Sequence, residues 1–512
     1  MRLKFLSNLI VVPCLAACSG DGLSGMDGLG GNDTDSHSIG SSQATLSTSG
    51  NAFTLDVSRT GSGNISAGTT LGCTASGCSP CTASYASGTS VTLTATPVAG
   101  YTFSGWGGDC AAGGASLKAT VTMNANKTCS ARFTRNTPPP AQFRGVNITG
   151  MEMGYEWYDR TTGPVAGTSY PILNTRLIDY FLSKGISAVR LLFQWEAMQP
   201  NLYDPIPNVA NAPNYLTYFS NLIRVVNYAT NAGMQVVIEP WQANSSNGVG
   251  GGRWRGCEIG STATCPTSNL KPVPVPMDAF ADFWSKMAAL FKGYPRVAYG
   301  LVNEPNSQST TTWFKAAQAA ITAIRNTGST QRIFVPGNGW TSASDWTSTG
   351  YDTDKPQVSN ANGWLNANGS GKPLFDPLNN IAIEAHTYVD SDQSGGHTDI
   401  TSVTAACDHV KVTLDWAAAH GLKVYLGEIG FYANASTKGF TPANAWADFV
   451  GYFNSNPDTF LGYTWWAAGD PTWWKDVAAN GGGHFSVSPT NSTTYTGDTV
   501  NMQMIQNDFQ DF

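Results

Sequence analysis

Between residues 51 and 135, apolar and polar positions alternate with a period of two. Phe53, Leu55 and Val57 form one such run, Val91, Leu93 and Ala95 a second, and Val121 and Met123 a third. Gly and Asn interrupt the runs, a pattern that predicts short antiparallel strands. From residue 142 onward the pattern changes. Eight apolar runs, at 143–150, 188–193, 235–240, 297–305, 332–338, 380–388, 423–430 and 461–468, are mostly continuous, as strands buried on both faces should be. Stretches with apolar residues at helical spacing separate them: Leu216, Phe219, Ile223 and Val226 in one, Val403, Cys407, Val410 and Leu414 in another. Eight strand–helix repeats predict an α/β architecture, a (β/α)8 barrel with insertions, preceded by a small all-β module.

The remaining segments set the boundaries. Residues 18–50 are dominated by Gly, Ser, Asp, Asn and Thr and carry no Lys or Arg, the composition of a flexible tether. Asn136-Thr137-Pro138-Pro139-Pro140 reads as a stiff linker over 136–141. Residues 1–17 have a positive start at Arg2 and Lys4 and then a short apolar stretch, as an export signal does. Its end, Leu15-Ala16-Ala17-Cys18, resembles a bacterial lipobox, which implies lipidation at Cys18. Ser19 in the next position implies an outer-membrane or cell-surface destination. The expected organisation is a signal at 1–17, a tether at 18–50, a β module at 51–135, a linker at 136–141 and a barrel at 142–512.

Composition narrows the function. Charged residues are 12% of the 512, so the chain is no charge-rich disordered protein. The net charge is −7, or −9 once Arg2 and Lys4 leave with the signal, and no basic stripe suggests a nucleic-acid partner. Ten Cys fit an oxidising compartment. Cys110 with Cys129 is the preferred pair in the module, and Cys73, Cys78 and Cys81 leave one thiol over. Cys257 and Cys265 are placed to close a short loop, and Cys407 sits on an apolar helix face as a buried thiol. Cys78-x-x-Cys81 lacks a second ligand pair at suitable spacing, so no metal site is expected.

In a barrel of this kind chemistry belongs at the C-terminal ends of the strands. Glu is rare, eight in all, yet the fourth run ends Val302-Asn303-Glu304-Pro305 and the seventh Leu426-Gly427-Glu428-Ile429-Gly430. The sixth ends Glu384-Ala385-His386-Thr387-Tyr388 and the eighth Trp465-Trp466-Ala467-Ala468. With Phe193-x-Trp195-Glu196, Gln199-Pro200, Asp390-Ser391-Asp392-Gln393-Ser394-Gly395 and Trp473-Trp474, this ordered set resembles glycoside hydrolase family 5, in particular the fungal-type endo-β-1,4-glucanases. The 89–106 stretch, with Cys110, Cys129 and Ala131-Arg132-Phe133, resembles internalin-type B repeats.

The family 5 resemblance implies Glu304 as acid/base and Glu428 as nucleophile of a retaining hydrolase, whose carboxyls stand about 5–5.5 Å apart. It further implies Arg190 beside the nucleophile, Asn303 on the sugar 2-hydroxyl, His386 and Tyr388 on substrate and nucleophile, and Trp466 under the sugar at the cleavage point. Fifteen of the 16 Trp lie in 142–512, and sugar C–H faces stack on aromatics. Trp195, Trp340, Trp473 and Trp474 are candidate outer subsites. Such hydrolysis needs no cofactor.

One departure stands out. Where relatives carry a His-Asn-Tyr run after the third strand, this chain reads Trp241-Gln242-Ala243. Trp241 cannot titrate, so the choice of sugar is the exposed point of the reading. Arg253 and Arg255, in the loop that follows, are either readers of an acidic side group or solvated loop charges. The expected partner is a β-glucan polysaccharide, met by a monomer tethered through its lipid. Mannanase, glucomannanase or xylanase activity is the alternative within the family. Outside it stand a non-catalytic glycan-binding surface protein and an adhesin carried by the 51–135 module.

Overall fold

The computed structural model describes residues 52–60, 63–73, 81–98, 101–135, 143–153, 162–207, 213–241, 253–254, 257–262, 274–471 and 483–510. The lipobox with Cys18, the tether, the proline linker, Cys78, Arg255, Cys265, Trp473 and Trp474 lie outside these residues. No helix among the described residues is long and apolar enough to cross a membrane.

The module holds eight strands: β1 (Ala52–Thr60), β2 (Gly63–Ala67), β3 (Leu71–Cys73), β4 (Cys81–Ala86), β5 (Ser90–Pro97), β6 (Tyr101–Gly108), β7 (Lys118–Thr122) and β8 (Lys127–Arg135). They form two four-stranded sheets, β4-β1-β8-β6 and β3-β2-β5-β7. The alternating residues meet between the sheets: Leu55, Val57, Val91, Leu93, Ala95, Val121 and Met123 are all buried. The pairing is antiparallel except for β1 against β8, which runs parallel. Cys110 is bonded to Cys129, and the open choice among the first three thiols resolves as Cys73–Cys81. Disulfides suit a core this small.

The eight apolar runs become β9 (Phe143–Thr149), β10 (Ala188–Gln194), β11 (Gln235–Trp241), β14 (Val297–Gly300), β15 (Ile333–Pro336), β16 (Ile381–Tyr388), β17 (Val424–Gly430) and β18 (Phe460–Gly469). A two-stranded hairpin, β12 (Arg253–Trp254) and β13 (Cys257–Glu258), follows β11. The eight long strands close into a parallel barrel, β18 pairing back onto β9. Around it run α1 (Arg176–Ser183), α2 (Trp195–Met198), α3 (Pro213–Asn231), α4 (Met277–Phe291), α5 (Thr310–Asn326), α6 (Asn360–Leu365), α7 (Ala405–Ala419) and α8 (Pro442–Ser455).

The α3 helix is where its sequence places it, but its buried stripe is rotated by about one residue. Tyr215, Tyr218, Leu222 and Val226 face the core, while Leu216 is exposed. The two tyrosines supply apolar surface that an aliphatic count passes over. On α7, Cys407, Val410 and Leu414 are buried, and the Cys407 thiol donates to Asp448 Oδ2 at 2.8 Å.

The module packs on the barrel through α8. A Cβ on Gly451 would come within 2.5 Å of the Arg59 carbonyl oxygen, so glycine permits this backbone approach. Tyr101 donates its hydroxyl to the Asn454 carbonyl at 2.6 Å. These contacts lie at the end of α8 that leads into the start of β18, far from the strand ends where side chains gather for chemistry.

Candidate active site

Arg190 organises the mouth of the barrel. It lies on β10, level with Asn147 on β9, and is fully buried. Its Nε and Nη2 donate to the two oxygens of Glu239 on β11, both at 2.7 Å. Nη1 donates to Glu428 Oε1 and to Asn147 Oδ1, each at 2.9 Å, and Nη2 also donates to Asn303 Oδ1 at 2.7 Å. Nε further stands 3.2 Å from Glu384 Oε1 on β16. One guanidinium thus faces three buried carboxyls. Burial opposes its charge, but Glu239, Glu384 and Glu428 outweigh that and hold the proton on Arg190 firmly.

Glycine makes room for this cluster. A Cβ on Gly300 would lie 2.1 Å from Glu239 Oε2, and one on Gly427 would lie 2.2 Å from Glu384 Oε1. The register between β16 and β17 shifts at Ala385/His386, which brings His386 level with Glu428. Such an irregularity re-aims side chains near a site.

Glu428 and Glu304 meet across His386. His386 Nδ1 is 2.8 Å from Glu304 Oε1 and 3.6 Å from Glu428 Oε2, and one oxygen of each carboxyl lies within 4.8 Å of the other. Tyr388 donates its hydroxyl to Glu428 Oε2 at 2.5 Å. Glu428 therefore receives two strong donors, Arg190 and Tyr388, whereas among the described residues no Lys or Arg is paired with Glu304. Burial pushes both carboxyls upward. Arg190 and Tyr388 hold Glu428 back, while the neighbouring Glu428 charge drives Glu304 further, well above the usual carboxylate range. Burial, with Arg190 nearby, keeps His386 neutral, and burial beside Glu428 keeps Tyr388 protonated. Glu304 has φ 44°, and Trp340 and Thr341 have φ 55° and 51°, a left-handed backbone that non-glycine residues rarely adopt.

Beside Glu304 opens a cleft of about 310 Å³, lined among others by Trp340, Tyr351, His386, Asp392 and Gln393. Trp340 is exposed and meets Tyr351 edge-on, centroids 5.1 Å apart. Trp466 and Trp241 stack on each other, centroids 5.7 Å apart and planes 18° from parallel. Trp241, the departure after the third strand, is thus brought directly against Trp466.

Two expectations are corrected. Trp195 is no outer subsite: β10 passes straight into α2, which turns the ring inward between Phe280, Phe283 and Trp254, fully buried. Arg253 is no reader of acidic sugars either. Its Nη2 is 3.3 Å from Glu258 Oε1 and donates to the Asn306 carbonyl, and it is buried. Cys257 is disulfide-bonded.

Sequence reasoning missed the roles of Glu239, Glu384, Asn147 and Glu152. Asn147 donates to the carbonyls of Gly427, Thr464 and Trp465 while accepting from Arg190. Glu152, just beyond β9, accepts from the Gly150 N–H at 2.6 Å, and burial raises its carboxyl to about 8. The signal was the scarcity of Glu. Four of the eight lie at the inner ends of barrel strands.

A closed parallel barrel with two interacting carboxyls at its mouth, one strongly hydrogen-bonded and one pushed toward protonation, defines a barrel glycoside hydrolase. Comparison with known proteins makes this specific. Residues 140–469 match the model of the cellulase family, glycosyl hydrolase family 5, and the chain belongs to that family. Residues 53–137 match the divergent InlB B-repeat domain. Endoglucanase gh5-1 of Neurospora crassa is 32% identical over 353 residues, 69% of this chain and 74% of that protein. XacCel5A, solved in complex with cellopentaose, is 30% identical with a TM-score of 0.58, covering 72% of this chain and 99% of that one. The endo-β-1,4-glucanase Xac0029 from Xanthomonas axonopodis pv. citri is also 30% identical, with a TM-score of 0.57, over 72% of this chain and 98% of that one.

Proposed function

We propose that this chain hydrolyses internal β-1,4-glucosidic bonds of cellulose or related β-glucans with retention, Glu428 serving as nucleophile and Glu304 as acid/base. The observation that carries the reading is the unequal treatment of the two carboxyls. Glu428 accepts from Arg190 and Tyr388, which favours its ionised form, while Glu304 is pushed toward protonation. In the first step Glu428 attacks the anomeric carbon, the glycosidic C–O bond breaks, and Glu304 gives its proton to the leaving oxygen. In the second, water attacks the same carbon, Glu304 takes the water proton, and Glu428 leaves as a carboxylate.

Asn303 is assigned to the 2-hydroxyl and Trp466 to the face of the sugar at the cleavage point. Trp340 lies in the cleft beside Glu304, so it is assigned to the leaving-group side. The Trp241–Trp466 stack favours a second reading, in which the preferred sugar shifts toward a mannan or xylan, because two indoles wall the position where relatives carry a titratable ring. We further propose export and anchoring through lipidated Cys18, a monomer, the 51–135 module as a domain separate from a barrel starting near 142, and a spacer role for that module.

Reducing-end release by the full chain on carboxymethyl cellulose, barley glucan, glucomannan, xylan and glucuronoxylan tests the reading. Activity on the glucans that is lost in Glu304→Gln and Glu428→Gln is expected. Activity confined to mannan or xylan would transfer the assignment to the second reading. No activity on any of these, with both variants indistinguishable from the parent, would leave only glycan binding.

A further inference from the structure

Beneath the two reacting carboxyls lies a buried acid that the hydrolysis itself does not use. Glu384 is fully buried on β16. Its Oε1 is 3.2 Å from Arg190 Nε and 3.5 Å from His386 Nε2, while its Oε2 is buried with no donor among the described residues. Both Glu384 and Glu239 stand against the same guanidinium, and the Glu239 charge pushes the Glu384 carboxyl upward. Two buried carboxyls that face one guanidinium repel each other, and that repulsion is relieved when one keeps its proton. Charge balance agrees: among the described residues Arg190 is the one Lys or Arg paired with Glu239, Glu384 or Glu428. Glu239 holds that guanidinium with both oxygens, so the proton belongs on Glu384, at the oxygen that lacks a donor.

We propose that Glu384 is a neutral carboxylic acid that fixes the tautomer of His386 and through it holds the proton on Glu304; the inference rests on Glu304 being the acid/base. With its proton on Oε2, Glu384 presents Oε1 as an acceptor. Nε2 of His386 then carries the hydrogen, and Nδ1 presents a lone pair to Glu304 Oε1 at 2.8 Å. A lone pair there stabilises the protonated form of Glu304. The opposite tautomer would donate to Glu304 and stabilise its carboxylate. Gly427 is the glycine that lets this happen, since its Cβ would lie 2.2 Å from Glu384 Oε1 and 2.8 Å from His386 Nε2.

The other groups acting on Glu304 and His386 are Arg190 on β10, Glu239 on β11, Asn303 beside Glu304, which favours its carboxylate, Tyr388 on β16 and Glu428 on β17. Asp345 and Asp392 line the cleft outside. Glu384 is thus a positioning residue, acting through His386 without touching substrate. It makes Glu304 a better-held acid for the first step and a stronger base for the second.

The test is the pH profile of kcat/KM on a soluble β-glucan for the full chain and two variants. In Glu384→Gln the amide N–H stands where the O–H does and the amide oxygen can accept from Nε2–H, so the alkaline limb should stay where the parent has it. In Glu384→Met the tautomer is released, and the alkaline limb should move down by about one pH unit, a roughly tenfold loss of proton affinity at Glu304. Lowered rates with an unmoved limb in both variants would reduce Glu384 to packing and overturn the proposal. A limb that moves in Glu384→Gln as well would show Glu384 ionised and also overturn it. If either variant fails to fold, the ¹⁵N resonances of the His386 ring in the parent decide: the Nε2–H tautomer is expected, and the Nδ1–H tautomer contradicts it. That readout does not depend on activity, so it separates this inference from the assignment of Glu304, which retained hydrolysis by Glu304→Gln would sink alone.

Discussion

Two successive layers fill the interior of the same barrel, and they could hardly differ more. The floor is apolar: Phe143, Ala188, Val237, Ala298, Phe334, Ala382 and Tyr425 form one buried cluster. Two residues further along the same strands stand Gly145, Arg190, Glu239, Gly300, Pro336, Glu384 and Gly427. Period-two geometry points both sets inward. In the floor, rings fill space; Phe334 stacks on Tyr425 with centroids 4.2 Å apart. In the layer above, glycines vacate space that glutamates and one arginine occupy. The floor needs only volume. The upper layer needs each charge matched, because an unmatched buried charge costs several kcal/mol, whereas repacking apolar side chains costs about 1–3.

Removing a reacting carboxyl, at the mouth above the upper layer, has the largest effect on function. Glu304→Gln should lower kcat by roughly 10²–10⁴-fold, the range of general acid–base catalysis, and Glu428→Gln by at least as much, with the fold retained by circular dichroism. Arg190→Met strands Glu239 and Glu428 and should cost about 3–5 kcal/mol, read as a large fall in Tm or failure to accumulate folded protein. Gly427→Ala keeps every charge but forces its Cβ onto Glu384 and His386. It should cost about 1–3 kcal/mol and lower kcat, while Gly145, in the same layer but beside backbone, gives no route to the catalytic groups.

The pH profile sharpens the contrast further. The rate should fall as pH drops through the Glu428 value, because the nucleophile is protonated, and as pH rises through the Glu304 value, because the acid is lost. Both values are raised, Glu304 the more, so the active window should sit above that of two ordinary carboxyls. Phe334→Leu in the floor is the smallest change. A loss of about 1 kcal/mol in stability is expected, with both limbs of the profile unmoved.

What the sequence made legible follows the same division. Each barrel strand appears as an apolar run because both its faces are buried, and Glu304, Glu428, His386 and Tyr388 stood toward run ends where an open barrel mouth makes polar residues tolerable, while Arg190 stood inside its run and was legible through the family resemblance. Glu239 and Glu384 stand in similar strings, yet their partner is a guanidinium four strands away from one of them, a relation no local pattern encodes. Trp195 misled because a tryptophan at a strand end looks the same whether the chain turns its ring into the cleft or, as α2 does here, into the core. The α3 stripe slipped because buried tyrosines carry apolar surface that aliphatic periodicity ignores.

The most direct test of the central assignment is the configuration of the sugar released by cleavage. Proton NMR of a short β-1,4-glucan oligosaccharide, recorded within minutes of adding the full chain, distinguishes the anomers before they equilibrate. The account predicts that the new reducing end appears first as the β anomer and drifts toward the equilibrium mixture. First appearance of the α anomer would mean direct attack by water and would contradict Glu428 as nucleophile.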